Sequence, residues 1–80
     1  MRPLADPPNI GALLRQFRQA SGLSQEGLAA KAGFHRTYVG QLERGERQPT
    51  ILSLTPLLDT LGVSWTEFGK ALDESRGRTP

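Results

Sequence analysis

The stretch from residue 25 to residue 44 constrains the fold more than any other part of the chain. Two short segments with helical spacing of apolar residues flank Gly33, which accepts the positive φ that a tight turn between steeply crossed helices requires. Ala29 is small where two such helices would approach each other most closely. The pattern therefore predicts a pair of short helices packed across a tight turn, and six positions satisfy it together: Leu28, Ala29, Ala32, Gly33, Val39 and Leu42.

Apolar residues elsewhere also recur at helical spacing and predict three further helices. Polar caps precede the segments and glycines follow most of them. No segment alternates with a period of two residues, so the predicted class is all-α, a compact five-helix domain over 10–72. An extended arm over 1–9, rich in proline, precedes it and a flexible tail over 73–80 follows. The expected helices begin after Asn9, Ser24, Phe34, Thr50 and Ser64, and end near Gly22, Ala32, Arg44, Gly62 and Leu72.

Pro56 leaves the fourth helix open to two interpretations. A proline inside a helix removes a backbone donor and its ring crowds the preceding turn, which predicts a kink. The alternative is a loose turn followed by a short helix that Thr55 caps, with Pro56 at its first position. We favour the kinked helix.

Composition limits the class of protein. The chain has 80 residues and no cysteine, so it has one modest core without a disulfide or thiolate metal site to reinforce it. No apolar run approaches the length of a membrane span, and the N-terminal sequence lacks the apolar stretch of a secretory signal. We therefore expect a soluble cytoplasmic protein.

Charge is distributed unevenly along the chain. Residues 15–47 contain six basic and three acidic side chains, whereas 48–74 contain one basic and four acidic. Eight of the ten cations are arginine, whose planar fork suits phosphates and guanine edges. One part of the domain could thus face a polyanion, although charge alone favours an ordinary solvated surface.

The outward side of the third helix carries a stripe without any carboxylate. Arginine can donate two hydrogen bonds to guanine, glutamine can pair with adenine, and threonine offers a hydroxyl and a methyl group for thymine. A merely solvated helix would more often alternate Glu and Lys. The stripe therefore favours contact with DNA bases, and it consists of Arg36, Thr37, Gly40, Gln41 and Arg44.

The sequence as a whole resembles the phage repressor and Cro family, whose domain is of the lambda-repressor type. The resemblance rests on Leu23–Glu26, Leu28–Ala29, Ala32–Val39, Leu42–Arg47 and Pro49, and it spans about residues 10–70. Within the family, Arg36-Thr37-Tyr38 and Glu43-Arg44-Gly45-Glu46-Arg47 are similar to the controller proteins of restriction–modification systems.

This resemblance implies a homodimeric transcriptional regulator that binds a two-fold related operator in double-stranded DNA through a helix-turn-helix. It further implies that an arginine late in helix 1, Arg18, pairs with Glu43 and fastens helix 1 to the DNA-binding unit. By matching position, the expected base contacts are Arg36, Thr37 and Gln41, and the expected phosphate contacts are Ser24, Gln25, Tyr38, Arg44, Arg47 and Thr50. The alternatives are an antitoxin, for which the spare tail is short, and a protein-interaction module on the same fold.

Helices 4 and 5 are the expected dimer contact, since they are acidic and would lie away from DNA. Aromatic and leucine side chains there fit either the core or a two-fold interface. The candidates are Leu52, Leu57, Trp65 and Phe68.

The sequence contains no residue pattern that indicates catalysis or metal binding. His35 is the only histidine, with no cysteine or carboxylate cluster nearby, so we expect no metal and assign it to capping helix 3 or contacting a phosphate. No nucleophile–base pair or phosphate loop is present, so we expect no catalytic residue and no cofactor.

Overall fold

A computed structural model of the protein describes residues 9–76. Within that range the chain forms five helices and no strand, which confirms the all-α class. The helices are α1 (Ile10–Ala20), α2 (Gln25–Ala32), α3 (Arg36–Glu43), α4 (Ile51–Leu61) and α5 (Trp65–Ser75). None of these helices is long and apolar enough to cross a bilayer.

Each helix begins at a side chain that accepts a hydrogen bond from the first turn, which satisfies one of the backbone donors left unpaired there. The expected caps at the other four helices are confirmed, whereas α3 is one residue shorter at each end than predicted. His35 caps α3 by accepting the Thr37 N–H at Nδ1 over 3.1 Å, so of its two predicted roles the structure shows capping. Gly33 follows α2 with φ of 84°, so the tight turn uses the left-handed conformation that the sequence predicts. The five caps are Asn9, Ser24, His35, Thr50 and Ser64.

α4 runs through Pro56 without interruption, so the alternative of a turn followed by a short helix is wrong. A reciprocal capping box between Thr50 and Ser53 secures its first turn, and its apolar side is buried in the core. The carbonyl that loses its donor to the proline belongs to Leu52, an exposed residue, so solvent can replace the bond. Burial and capping together offset the local cost of Pro56.

α5 ends at Ser75, three residues later than predicted. The boundary at 72 is therefore too early, because Asp73–Ser75 continue the helix rather than begin a tail. Leu72 is the last apolar residue with helical spacing, and the polar residues after it do not indicate from sequence that the helix continues. The arm predicted over 1–9 and the rest of the tail fall outside the described residues, apart from Asn9 and Arg76.

The core forms where the helices pack against one another. α2 packs against α3 and α4, while α1 packs against α3 and α5. Two residues expected at a dimer interface belong to this core: Leu57 is 0% exposed and Phe68 is 3% exposed. Their side chains offer no surface to a second copy, so that part of the prediction is wrong. The six largest of the almost fully buried side chains are Leu14, Leu28, Val39, Leu42, Leu57 and Leu58.

Gly11 marks the closest approach between α1 and α3. A Cβ atom at this position would overlap the carbonyl oxygen of Leu42 and press on that of Glu43. The absence of a side chain therefore lets the start of α1 lie directly against the end of α3. No local pattern in the sequence marks this glycine, because its partner is a backbone atom thirty-one positions away in the chain.

Candidate nucleic-acid interface

Most of the outward stripe of α3 is accessible to solvent, although Gly40 in its middle is buried, and the other side of the helix faces the core. Arg36 and Thr37 are exposed at the first turn, and Gln41 is half-buried one turn later. Val39 and Leu42 face the core from the same helix. Because Val39 and Leu42 are packed into the core, the three expected base-contacting residues lie on the opposite, surface side of α3.

A buried ion pair holds α3 in place. Arg18 donates from Nε to Glu43 Oε2 over 2.6 Å and from Nη2 to Oε1 over 3.0 Å. Arg18 also donates from Nη1 to the carbonyl of Leu23 at the entry to α2. Hydrogen bonding to Glu43 raises the pKa of Arg18 above its ordinary value. One arginine of α1 therefore fastens both helices of the helix-turn-helix.

Gln25 joins this network from the start of α2. Its Nε2 donates to Glu43 Oε1 over 3.0 Å, so one amide hydrogen is engaged inside the domain. This role was not predicted, because sequence spacing does not show that the first residue of α2 lies beside the last residue of α3. Gln25 remains half-buried rather than enclosed, at the edge of the outward stripe.

Tyr38 connects α3 to α4. Its hydroxyl donates to Ser53 Oγ over 3.0 Å, and its ring lies 5.2 Å from that of Phe34. The guanidinium carbon of Arg47 sits 5.5 Å from the centre of the Tyr38 ring, a distance at which a cation and an aromatic face attract. The Tyr38 ring therefore restrains the exposed side chain of Arg47. The Tyr38 hydroxyl is already hydrogen-bonded within the protein.

Arg44 forms an exposed ion pair just beyond α3. Its Nε donates to Glu46 Oε2 over 2.7 Å and its Nη2 to Oε1 over 3.2 Å. Hydrogen bonding between the two raises the pKa of Arg44 and lowers the pKa of Glu46. Arg44, which is expected to contact a phosphate, is thus already paired with the carboxylate of Glu46.

Two helix N-termini flank the stripe in the chain. Ser24 Oγ accepts the Gly27 N–H over 2.9 Å at the start of α2. Thr50 Oγ1 accepts the Ser53 N–H over 3.1 Å at the start of α4. Both caps are exposed. The positive end of a helix dipole favours a nearby anion, so both positions suit a phosphate.

Large apolar side chains are exposed on α4 and α5. Leu52 is 87% exposed and Trp65 is 46% exposed, as residues of a protein–protein contact would be. Ile51, at the first position of α4, is 69% exposed and was not predicted. Ile51 has helical spacing with the buried Leu54 and Leu58, which favours the core side, but the first turn of α4 leaves it exposed.

The helix-turn-helix family model matches residues 14–68, which is more than half of the chain. The chain belongs to the helix-turn-helix family. This range begins in α1 and ends in α5, and it contains the whole outward stripe. Several of the proteins to which the chain is similar are named HTH-type transcriptional regulators.

Two curated helix-turn-helix relatives illustrate the similarity. The chain is 39% identical over 66 residues to the uncharacterized HTH-type transcriptional regulator y4dJ of Sinorhizobium fredii, covering 82% of this chain and 86% of that protein. It is 45% identical over 51 residues to the control protein C.SmaI of Serratia marcescens, covering 64% of this chain and 61% of that protein.

Solved helix-turn-helix structures extend the similarity to the fold. The restriction–modification controller protein C.AhdI of Aeromonas hydrophila matches with a TM-score of 0.71 and 41% identity, covering 74% of this chain and 86% of that one. The controller protein C.Esp1396I, solved as a tetramer with its natural 35 base-pair operator, matches with a TM-score of 0.82 and 31% identity, covering 89% and 93%. The resemblance to controller proteins is confirmed.

Proposed function

We propose that the protein is a homodimeric transcriptional regulator that inserts α3 into the major groove of a two-fold related operator. The observation that carries the proposal is the exposed outward stripe of α3, which bears hydrogen-bonding side chains and no carboxylate. Similarity to a controller protein crystallised with its operator supports the same conclusion.

Three side chains of the stripe read bases. Arg36 donates a pair of hydrogen bonds to guanine O6 and N7, and Gln41 pairs with adenine N6 and N7. Thr37 contacts thymine through its methyl group or donates its hydroxyl to a base acceptor. Arg36 and Thr37 lie at the N-terminal end of α3, the end that enters the groove in helix-turn-helix proteins.

A ring of contacts to the DNA backbone positions the stripe. Arg47 supplies charge and is held against the face of Tyr38, so less of its side-chain freedom is lost on binding. The cap positions at α2 and α4 direct backbone N–H groups towards phosphates on either side. The proposed phosphate contacts in this ring are Ser24, Gln25, Tyr38, Arg47 and Thr50.

Dimerisation places two copies of α3 in successive major grooves about 34 Å apart. The exposed Leu52 and Trp65, together with Ile51, provide the apolar surface for the contact. Leu57 and Phe68 are buried in the core and do not contribute to this surface.

Selection of bound duplexes from a randomised pool tests the proposal, followed by fluorescence anisotropy on the recovered sequences. We expect related half-sites arranged about a two-fold axis, and sedimentation should show a dimer on the selected duplex. Recovery of no preferred sequence would contradict base reading by α3, and a monomer at micromolar concentration that stays a monomer on DNA would contradict the dimer.

A further inference from the structure

Arg44 folds back over the middle of the outward stripe. Its Nη1 lies 3.0 Å, and its Cζ 3.8 Å, from the point that a Cβ atom of Gly40 would occupy. Helical side chains lean towards the N-terminus and cover the turn before their own, and Gly40 precedes Arg44 by one turn. The guanidinium thus lies against the place where Gly40 has no side chain.

Glu46 determines which edge of the guanidinium is available. Its two carboxylate oxygens engage Nε and Nη2 of Arg44 in a bidentate pair. Arginine has five N–H donors, so the Nη1 end, which lies over Gly40, keeps its hydrogens for an acceptor outside the protein. That end can form the fork that matches two adjacent acceptors in the major groove.

Gln25 borders the same position from α2. Its Oε1 lies 3.5 Å from the point where a Gly40 Cβ would be, while its Nε2 is committed to Glu43. Gln25, Arg36, Thr37, Gly40 and Arg44 line one polar depression of about 210 Å³ in the surface of the stripe. Arg44 is therefore part of the concave reading surface rather than of the rim around it.

We propose that Arg44 is a fourth base-reading residue and that Glu46 is its positioning residue. The ligand class is a base edge with two hydrogen-bond acceptors, foremost guanine O6 and N7. The proposal rests on the proposed function, and it changes the expected role of Arg44 from phosphate contact to sequence readout.

Charge distinguishes these two roles. A phosphate that accepted from the Nη1 end would be repelled by the nearby carboxylate of Glu46. Since the Arg44–Glu46 pair is neutral as a unit, it releases few counter-ions from DNA and adds little to salt-dependent affinity. A base edge is uncharged, so it accepts from the free Nη1 end without displacing Glu46.

The test combines site selection with salt titration for the full chain and three variants. Arg44→Ala should reduce discrimination at one base pair in each half-site by about 5- to 150-fold and leave the preference at the other base pairs unchanged. Gly40→Ala should relax the same base pair, because its Cβ displaces the guanidinium. Glu46→Gln should bind all sequences more tightly at low salt, with a steeper slope and weaker discrimination.

Arg47→Ala is the matched control, since it removes an arginine expected at a phosphate; it should weaken all sequences alike and flatten the slope. If Arg44→Ala behaves like this control, or has no effect on base preference, the inference is overturned while the proposed function stands. If the unsubstituted protein selects no sequence, the proposed function fails, and the inference fails with it. Circular dichroism melts confirm that each variant is folded.

Discussion

Arg18 and Glu43 are bonded to each other through two hydrogen bonds of 2.6 and 3.0 Å, in a pair whose side chains are 11% and 2% exposed. The bond links the last turn of α1 to the last residue of α3. Glu43 also accepts from Gln25, so three helices meet at one carboxylate. The orientation of α3 therefore depends on a carboxylate that is buried inside the domain.

Glu43→Ala should destabilise the fold by about 3 kcal/mol, because it leaves the guanidinium of Arg18 buried without a counter-ion. We place the effect at the lower end of the range for buried pairs because part of Arg18 stays exposed. Urea denaturation measures it. Glu46→Ala is the matched control, since it breaks an exposed pair, and its unfolding midpoint should stay close to that of the unsubstituted protein. Equal midpoints for the two variants would contradict a structural role for Glu43.

Gly11→Ala should destabilise the protein by about 1–3 kcal/mol or more, because the added Cβ overlaps the backbone of α3 and pushes α1 away. Gly69→Ala is the matched control within α5. A Cβ there meets nothing within 4 Å, so alanine should stabilise that helix by about 0.5–1 kcal/mol. Thermal unfolding of the two variants should shift in opposite directions, and a rise for both would show that α1 and α3 are not in close contact.

Arg36→Ala should cost about 1–3 kcal/mol on the preferred operator and relax the choice of one base pair, because a bidentate contact to a base edge is lost. Arg47→Ala should weaken the preferred and a scrambled duplex by similar factors and lower the dependence of binding on salt. Anisotropy titrations on both duplexes at several salt concentrations separate the two effects. Identical behaviour of the two variants would refute the division between base and phosphate contacts.

Leu52→Asp should shift the protein towards monomer, since a carboxylate in an apolar two-fold contact meets its own copy and loses hydration. The fold should survive because Leu52 is 87% exposed in the single domain. Sedimentation equilibrium measures the shift, and Gln19→Asp, on the exposed side of α1, is the control for an added charge. A dimer that is unaffected by Leu52→Asp would move the interface away from α4.

Local features of the structure follow from the sequence because they depend on residues that are close in the chain. The caps at Ser24 and Thr50 and the left-handed Gly33 act over three or four residues, so composition and spacing predict them. Pro56 is the exception. Its local cost favours a kink or a break, but burial of Leu54, Leu57 and Leu58 against the rest of the domain keeps α4 continuous.

The sequence by itself determined the all-α class, the tight turn around Gly33 and the carboxylate-free stripe, since periodicity and residue chemistry specify which side of each helix is apolar. Only the tertiary structure decided which apolar residues remain exposed to solvent. Leu52 and Leu57 are chemically identical, yet only the packing of α4 buries one and exposes the other. It also decided that Gly11 meets Leu42 and that Arg44 covers Gly40. Such contacts depend on the distance between two backbone segments, and the spacing of residues along the sequence does not specify that distance.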